Sequence, residues 1–200
     1  MKTIIHVGGA KGVGKTTILK KLSRYFKKRT GEDISLITVS EFLSNLAVSQ
    51  FNKKWSDLTE TERKTLREVA IQHFTSNESS VIILDSHYID LKDGKPIDIM
   101  PDEFKRLIDI HVILEAKPEE ILERRIKDGS KQRELDVSII REEAEAEREA
   151  ALRIAKELGK PILFMKNENI EIACHNLYER LAEFTLGLRE YKYEDKIRNN

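Results

Sequence analysis

A glycine-rich loop near the start of the chain constrains the fold more than any other feature. The residues "HVGGAKGVGKTTI" (6–18) follow a β-branched run and precede a helical pattern of apolar residues. Within them, the stretch from Gly9 to Thr16 matches the spacing G-x-x-x-x-G-K-[ST]. Between a strand and a helix, this spacing wraps backbone N–H groups around a phosphate chain. We therefore expect a P-loop that binds a nucleotide.

The chemistry of such a loop assigns an expected role to each of its residues. Lys15 is expected to reach the outer phosphates of ATP, and the Thr16 hydroxyl to join the coordination of Mg²⁺. The side chain of Lys11 receives no function, and a solvated position is favoured for it. The residues expected to bind ATP are Gly9, Ala10, Lys11, Gly12, Val13, Gly14, Lys15, Thr16 and Thr17.

Short β-branched runs alternate with helical patterns along the rest of the chain. They are mostly continuous in apolar character, which is typical of parallel strands covered on both faces. These runs cover residues 3–7, 35–39, 80–85, 110–114 and 161–165. With 200 residues, the chain has the length for one good-sized core. We predict a single α/β domain over residues 1–200, a P-loop NTPase with a five-stranded parallel sheet and helices on both faces.

Composition restricts the binding partners and the location that we expect for the protein. The 35 basic and 35 acidic residues cancel, so net charge gives no reason to expect nucleic acid or an anionic membrane as a partner. The single cysteine forms no intrachain disulfide and no cysteine metal site. The chain starts with a strand-like run instead of a signal peptide, and no apolar run has the length of a membrane span. We expect a cytoplasmic protein.

Asp85 is the candidate acidic partner of the loop. It ends the run "VIILD" (81–85), and an aspartate at the end of a buried strand beside the first can hold a magnesium-bound water. A capping aspartate is the alternative, which the presence of the P-loop disfavours. The following "SHY" lacks the glycine of the D-x-x-G motif in regulatory GTPases, and no N-K-x-D motif for guanine occurs. A GTPase switch is therefore disfavoured.

Two charged segments follow the fourth apolar run. The first, "RRIKDGSKQRELD" (124–136), interrupts a helical pattern at a glycine and a serine, and on its own it indicates a solvated turn. The second, "REEAEAERE" (141–149), indicates a solvated helix face.

The motifs together resemble those of archaeal-type adenylate kinases and related P-loop nucleotide kinases, over most of the chain. "GGAKGVGKTTI" (8–18) is similar to the family's G-x-P-G-V-G-K-[ST]-T, and "LDSH" (84–87) to its D-T-H. Residues 113–133 resemble its fourth strand and the helix into an arginine-rich lid. The resemblance implies a nucleoside-monophosphate-kinase-like fold with a short lid at about 124–136, in place of the solvated turn, and possible trimers.

The resemblance also implies the catalytic residues. In the family, arginines of the lid neutralise the charge of the phosphoryl group during its transfer. The resemblance implies this role for Arg124 and Arg133. Lys127 and Lys131 stand where the family usually has arginine. The implied catalytic residues are Lys15, Asp85, Arg124 and Arg133.

The acceptor side departs from the family pattern. The resemblance implies a helical acceptor-binding insertion at about 40–78, where the family carries an R-x-E-M-R-K-like stretch. Here "FNKKWSD" (51–57) has no arginine, and Leu91 replaces another arginine that is typical after D-T-H. The remaining cationic partners for an acceptor phosphate are Lys53, Lys54 and Lys92. A lysine attracts a phosphate but lacks the bidentate geometry of arginine.

Two further residues of the predicted acceptor side have two open interpretations each. Trp55 could stack on an acceptor base, although plain packing is favoured for a tryptophan in a helical insertion. His87 could orient a substrate or bond a backbone group, and the sequence favours neither.

Two functions stay open. The first is a kinase that transfers the γ-phosphoryl group of ATP to a nucleoside monophosphate, with AMP foremost, or to a similar small acceptor. The second is an adenylate-kinase-like ATPase that acts with a macromolecular partner such as a ribosome-assembly complex. The missing arginines favour the second and the retained lid favours the first, which we prefer.

Overall fold

The computed structural model describes residues 2–92, 95–129 and 133–198. Its strands are β1 (Thr3–Gly8), β2 (Ile34–Thr38), β3 (Val81–Asp85), β4 (Ile89–Lys92), β5 (Lys95–Asp98), β6 (Ile110–Glu115) and β7 (Ile162–Lys166). Its α-helices are α1 (Lys15–Thr30), α2 (Val39–Phe51), α3 (Glu60–Ser76), α4 (Asp102–Leu107), α5 (Pro118–Lys127), α6 (Val137–Glu157) and α7 (Ile170–Arg198). A short 3₁₀ turn, Trp55–Asp57, connects α2 to α3.

Five strands form one parallel sheet in the order β2-β3-β1-β6-β7. Each of the five predicted strands is present, and each begins and ends within one residue of the prediction. Side chains alternate between two cores: Ile5 and Val7 of β1 pack with α1 and α7, whereas Ile4 packs with α2 and α3. Because both faces are covered, the strands are continuously apolar. The predicted α/β fold is confirmed.

The sheet order places the loop that follows β1 between the chain connections on its two sides, where they separate. β1 pairs with β3 on one side and with β6 on the other, so the chain leaves β1 between two crossovers. All five strands are parallel, and their carboxyl ends therefore meet at one edge of the sheet. Open α/β sheets bind ligands at such a switch point, outside the carboxyl ends of the strands.

A second, two-stranded sheet was not predicted. β4 and β5 pair antiparallel and follow the end of β3, next to α6. The two strands contain four charged residues and a proline, and they lack the apolar alternation by which a half-buried strand is recognised. In the described part of the chain, no helix combines the length and the apolar character that crossing a membrane requires.

Candidate functional site

The glycines of the loop are required by its backbone. Gly9 has a φ of +134° and Gly14 a φ of +101°, in the region that disfavours residues with a Cβ. A Cβ at Gly9 would lie 2.4 Å from the carbonyl oxygen of Leu114, and one at Gly14 would lie 2.5 Å from Nδ2 of Asn167. The loop therefore leads from β1 into α1 with no room for side chains at either position.

Lys15 lies at the centre of the site. Its Nζ donates a hydrogen bond to the carbonyl oxygen of Gly9 at 2.7 Å and lies 3.3 Å from both ring nitrogens of His87. Burial lowers the pKa of Lys15 from 10.5 to about 8, and the nearby carboxylates of Asp85 and Glu147 oppose that shift. This ammonium group is held where a phosphate chain wrapped by the loop would meet it.

Thr16 and Asp85, the two residues expected to ligate a metal, contact each other. The Thr16 hydroxyl donates to Oδ2 of Asp85 at 3.1 Å, and Asp85 is buried at the end of β3 opposite Val7 of β1. A hydroxyl and a carboxylate oxygen side by side are ligands that Mg²⁺ accepts together with nucleotide phosphates. The donor set of these two residues therefore fits Mg²⁺.

Two glutamates of α6 contact the loop region, which the sequence analysis did not predict. The interpretation of residues 141–149 as a solvated helix face is wrong for Glu143 and Glu147, which are 4% and 1% exposed. They lie four residues apart, on the same helix stripe as the buried Ile140 and Ile154. That shared stripe is the sequence signal that could have identified them.

Glu143 binds the backbone of the loop and a buried arginine. Its Oε1 accepts from the backbone N–H of Lys11 at 2.7 Å, and its Oε2 accepts from Arg125 at 2.6 Å. Arg125 also donates to the carbonyl oxygens of Lys11 and Glu134, at 2.8 and 2.9 Å. This arrangement links α5, α6 and the loop. Arg125 was missed because the motif comparison assigned roles to Arg124 and Arg133 and none to Arg125.

Glu147 holds the segment that follows Asp85. Its Oε1 accepts from Nδ1 of His87 at 2.8 Å, and its Oε2 accepts from the backbone N–H of Tyr88 at 3.0 Å. The contacts of His87 within the described residues are with side chains, Nζ of Lys15 and Oε1 of Glu147, and not with the backbone group that one interpretation expected. Its role toward a substrate stays a prediction.

The two predicted lid arginines lie beside the loop. Arg124 donates to the carbonyl oxygens of Val13 and Asn167, at 2.8 and 2.9 Å. A guanidinium nitrogen of Arg133 would lie 3.5 Å from a Cβ built on Gly12, and Arg133 pairs with Asp128 at 3.2 Å.

The other predicted cations around the loop have different surroundings. Lys127 is exposed, 3.8 Å from Glu123, and Lys131 lies outside the described residues. The side chain of Lys11 forms an ion pair with Asp90 of β4 and is not simply solvated.

A cavity of about 300 Å³ lies on the α2–α3 side of the same sheet edge. Its apolar wall consists of Val39, Leu43, Leu84, Ile99, Met100, Pro101, Phe104 and Ile108. Its polar and aromatic lining consists of His6, Ser40, Ser44, Trp55, Arg67, Ser86 and Asp90. Trp55, predicted for the acceptor side, is part of this lining.

The lysines predicted beside Trp55 do not line this cavity. Nζ of Lys53 is 2.6 Å from Oε1 of Glu62, in an ion pair on the surface, and Lys54 is exposed. The arginine that does line the cavity is Arg67, on α3. It was missed because the motif comparison covered residues 51–57 and the segment after β3, whereas Arg67 lies ten residues beyond the first of these.

Comparisons with known proteins identify the family and the fold. A family model described as an AAA domain matches residues 8–141. A gluconokinase from Sinorhizobium meliloti 1021 superposes with a TM-score of 0.55 at 14% identity, over 95% of this chain and 97% of that one. A shikimate kinase from Bacteroides thetaiotaomicron gives a TM-score of 0.52 at 18% identity, over 90% and 98%. At these identities the two structures establish the fold alone. No curated protein matches the sequence.

Proposed function

The chain belongs to this AAA-domain family, and we propose that it is an ATP-dependent kinase that transfers the γ-phosphoryl group to a small acceptor. The observation that carries the proposal is the junction of two sites at the end of β3. Asp85 contacts Thr16 of the loop, and the next residue, Ser86, lines the cavity. A nucleotide on the loop and a small molecule in the cavity would therefore meet at one point.

The proposed reaction requires positioned cations from the protein and little covalent chemistry. We assign Lys15 to the outer phosphates of ATP, and Thr16 and Asp85 to Mg²⁺. When bound, the ion would neutralise charge on the phosphate oxygens. Arg124 and Arg133, beside the loop, are proposed to stabilise the charge that develops on the phosphoryl group.

A nucleoside monophosphate is the first candidate acceptor. Support comes from the resemblance to nucleotide kinases and from Trp55 in the cavity wall, where an aromatic face can stack on a base. Gluconate and shikimate are the next candidates, because the two similar structures are named as kinases for these compounds.

The test is ADP formation from ATP and Mg²⁺ with AMP, CMP, GMP, UMP, gluconate or shikimate, beside a reaction without acceptor. We expect at least one compound to raise the rate about tenfold over the reaction without acceptor, with its phosphorylated form identified by mass spectrometry. Hydrolysis that is indifferent to every compound would contradict the proposal and favour the ATPase alternative. The described residues show no feature that favours its macromolecular partner.

A further inference from the structure

We propose that Arg67 selects acceptors that carry an anionic group, a phosphate or a carboxylate, by binding that group in the cavity of about 300 Å³. This inference rests on the proposed function only for the transfer step, because binding of the acceptor can be measured without turnover.

The position of Arg67 is unusual for a charged residue. It lies on α3 between Leu66 and Ala70, both fully buried, and its own side chain is only 17% exposed. Arginine is seldom buried to this extent unless its charge is paired. The side chain therefore lies along the cavity wall, with its Nε out of contact with water.

The partners of Arg67 among the described residues use only part of its hydrogen-bonding capacity. One terminal nitrogen donates to Oε1 of Glu60, whose side chain is 72% exposed, and the buried Nε has no partner. A guanidinium group has five N–H donors, and a buried donor without an acceptor is unfavourable. An exposed carboxylate compensates a cation only weakly. The group is therefore suited to a further acceptor, which a ligand in the cavity can supply.

The remaining charges at the cavity do not compensate Arg67. Asp90 is the acidic residue among the described lining residues, and its carboxylate pairs with Lys11. His6 is fully buried, neither of its ring nitrogens has a partner among the described residues, and burial lowers its pKa well below 6.5. It is therefore neutral, and Arg67 is the cationic side chain among the described lining residues.

The shape of the lining indicates how an anionic acceptor would be held. A planar guanidinium group binds a carboxylate or a phosphate through paired hydrogen bonds, which a lysine cannot reproduce. Trp55 offers an aromatic face, and Ser40 and Ser44 offer hydroxyl groups, in the same cavity. These features suit an organic molecule with one anionic group and several polar atoms, such as a nucleoside monophosphate or a hydroxy acid.

Arg63 provides a matched control one turn earlier on α3. It donates to the carbonyl oxygen of Ser56 at 3.1 Å and lies 5.8 Å from the centroid of the Trp55 ring, but it does not line the cavity. Its Nε is buried and without a partner, like that of Arg67. Replacing Arg63 therefore removes a similar charge from the same helix without removing a residue that lines the cavity.

The experiment uses the fluorescence of Trp55, which is the single tryptophan of the chain and lines the cavity. Wild type, Arg67→Gln, Arg67→Lys and Arg63→Gln are titrated with AMP against adenosine, and with gluconate against glucitol. The first pair tests a phosphate and the second a carboxylate. We expect wild type to bind at least one anionic compound about tenfold more tightly than its neutral counterpart. Acceptor and ATP KM values are measured wherever transfer occurs.

Arg67→Gln should abolish that preference, with the affinity for the neutral compound and the KM for ATP changed less than twofold. Arg67→Lys should retain part of it, and Arg63→Gln all of it.

Equal loss in the Arg63 and Arg67 variants would indicate a structural role and overturn the inference, as would no preference in wild type. If Arg67→Gln does not fold, undiminished preference in Arg67→Lys overturns it. Arg67-dependent binding without transfer would refute only the proposed kinase.

Discussion

The two halves of the site differ in how their polar groups are satisfied. On the loop side, Lys15 contacts Gly9 and His87, and Thr16 contacts Asp85. On the cavity side, Arg67 has one exposed carboxylate partner, and both ring nitrogens of His6 have none among the described residues. On the loop side these side chains contact one another, whereas the cavity side has polar side chains that a ligand would satisfy.

This difference follows from what each half recognises. The loop side binds a phosphate chain largely through backbone N–H groups, and its geometry is determined by glycines between a strand and a helix. The cavity side uses side chains on α2, α3 and the segment after β3, which can change while the fold stays the same. We therefore expect substitutions on the loop side to affect folding and turnover, and substitutions on the cavity side to affect the choice of acceptor.

The largest effect is expected from Arg125→Met. This substitution leaves Glu143 buried without its cationic partner, and breaking a buried ion pair from one side costs about 3–5 kcal/mol. The free energy of unfolding, measured in urea, should fall by that amount. Arg153→Met is the control, because the ion pair of Arg153 with Asp98 is exposed and should contribute about 1 kcal/mol or less. Equal losses would show that Glu143 and Arg125 do not hold α5, α6 and the loop together.

Lys15→Ala should lower turnover about 100- to 1,000-fold, the usual cost of removing one positioned group that stabilises transition-state charge. The fold should remain intact, because the substitution removes a charge whose burial is unfavourable. Steady-state ADP formation and thermal unfolding are measured on the same samples. Lys20→Ala, at an exposed position of the same helix, should retain turnover. Wild-type turnover in Lys15→Ala would refute the assignment of the loop.

The loop side was also the half that sequence could predict. The spacing of Gly9, Gly14 and Lys15 specifies a backbone conformation, and the strand before it and the helix after it follow from local apolar periodicity. For the same reason, the five strands of the main sheet were predicted to within one residue. Asp85 was found because it ends one of those strands.

The remaining residues could not be identified from local pattern. Glu143 and Glu147 occur in a run of charges, and only the packing of α6 against the loop shows that they are buried. Arg67 is one of several charged residues on α3, and its place in the cavity depends on how α3 packs. The pairing of β4 with β5 is accompanied by contacts with α6, and such tertiary contacts override weak strand propensity.

Arg133→Ala tests the predicted lid on the loop side. Because the guanidinium group of Arg133 lies beside Gly12, we expect kcat to fall about 10- to 100-fold while the KM for ATP changes little. Arg124 is a less clean probe, since it also supports the carbonyl oxygens of Val13 and Asn167. Arg141→Ala, an exposed arginine of α6, serves as the control. A rise in KM for ATP with unchanged kcat would argue against a role in the transition state.

A smaller effect is expected on the stability of the protein at acid pH, through the contact between Tyr88 and His111. The hydroxyl oxygen of Tyr88, which follows His87, lies 2.7 Å from Nδ1 of His111, and the two groups share a hydrogen bond. Burial, and to a lesser extent the charge of Lys160, lowers the pKa of His111 from 6.5 to about 4. Between these pH values the unfolded chain binds a proton that the folded chain does not, so stability falls as pH falls, by about 1.4 kcal/mol per unit.

His111→Asn should remove this contribution, because asparagine can accept from Tyr88 but does not titrate. Urea unfolding at pH 7, 6 and 5 should give a shallower decline in stability for the variant than for wild type. His175→Asn, at an exposed position on α7, is the matched control and should decline as wild type does. An unchanged slope in His111→Asn would show that His111 is not a source of acid sensitivity.

The smallest effect is expected from Lys53→Ala and Lys54→Ala, singly and combined, on the cavity side. Neither lysine lines the cavity, and the charge of Lys53 is already paired with Glu62 at the surface. The KM for an anionic acceptor should therefore rise less than about threefold, since exposed ion pairs and distant surface charges contribute little. Arg67→Gln, measured beside them, should change it about tenfold. If the lysine variants raise the KM for the acceptor more than Arg67→Gln does, the acceptor binds at the 51–57 segment. The missing arginines of that segment would then account for the affinity of the acceptor better than the cavity does.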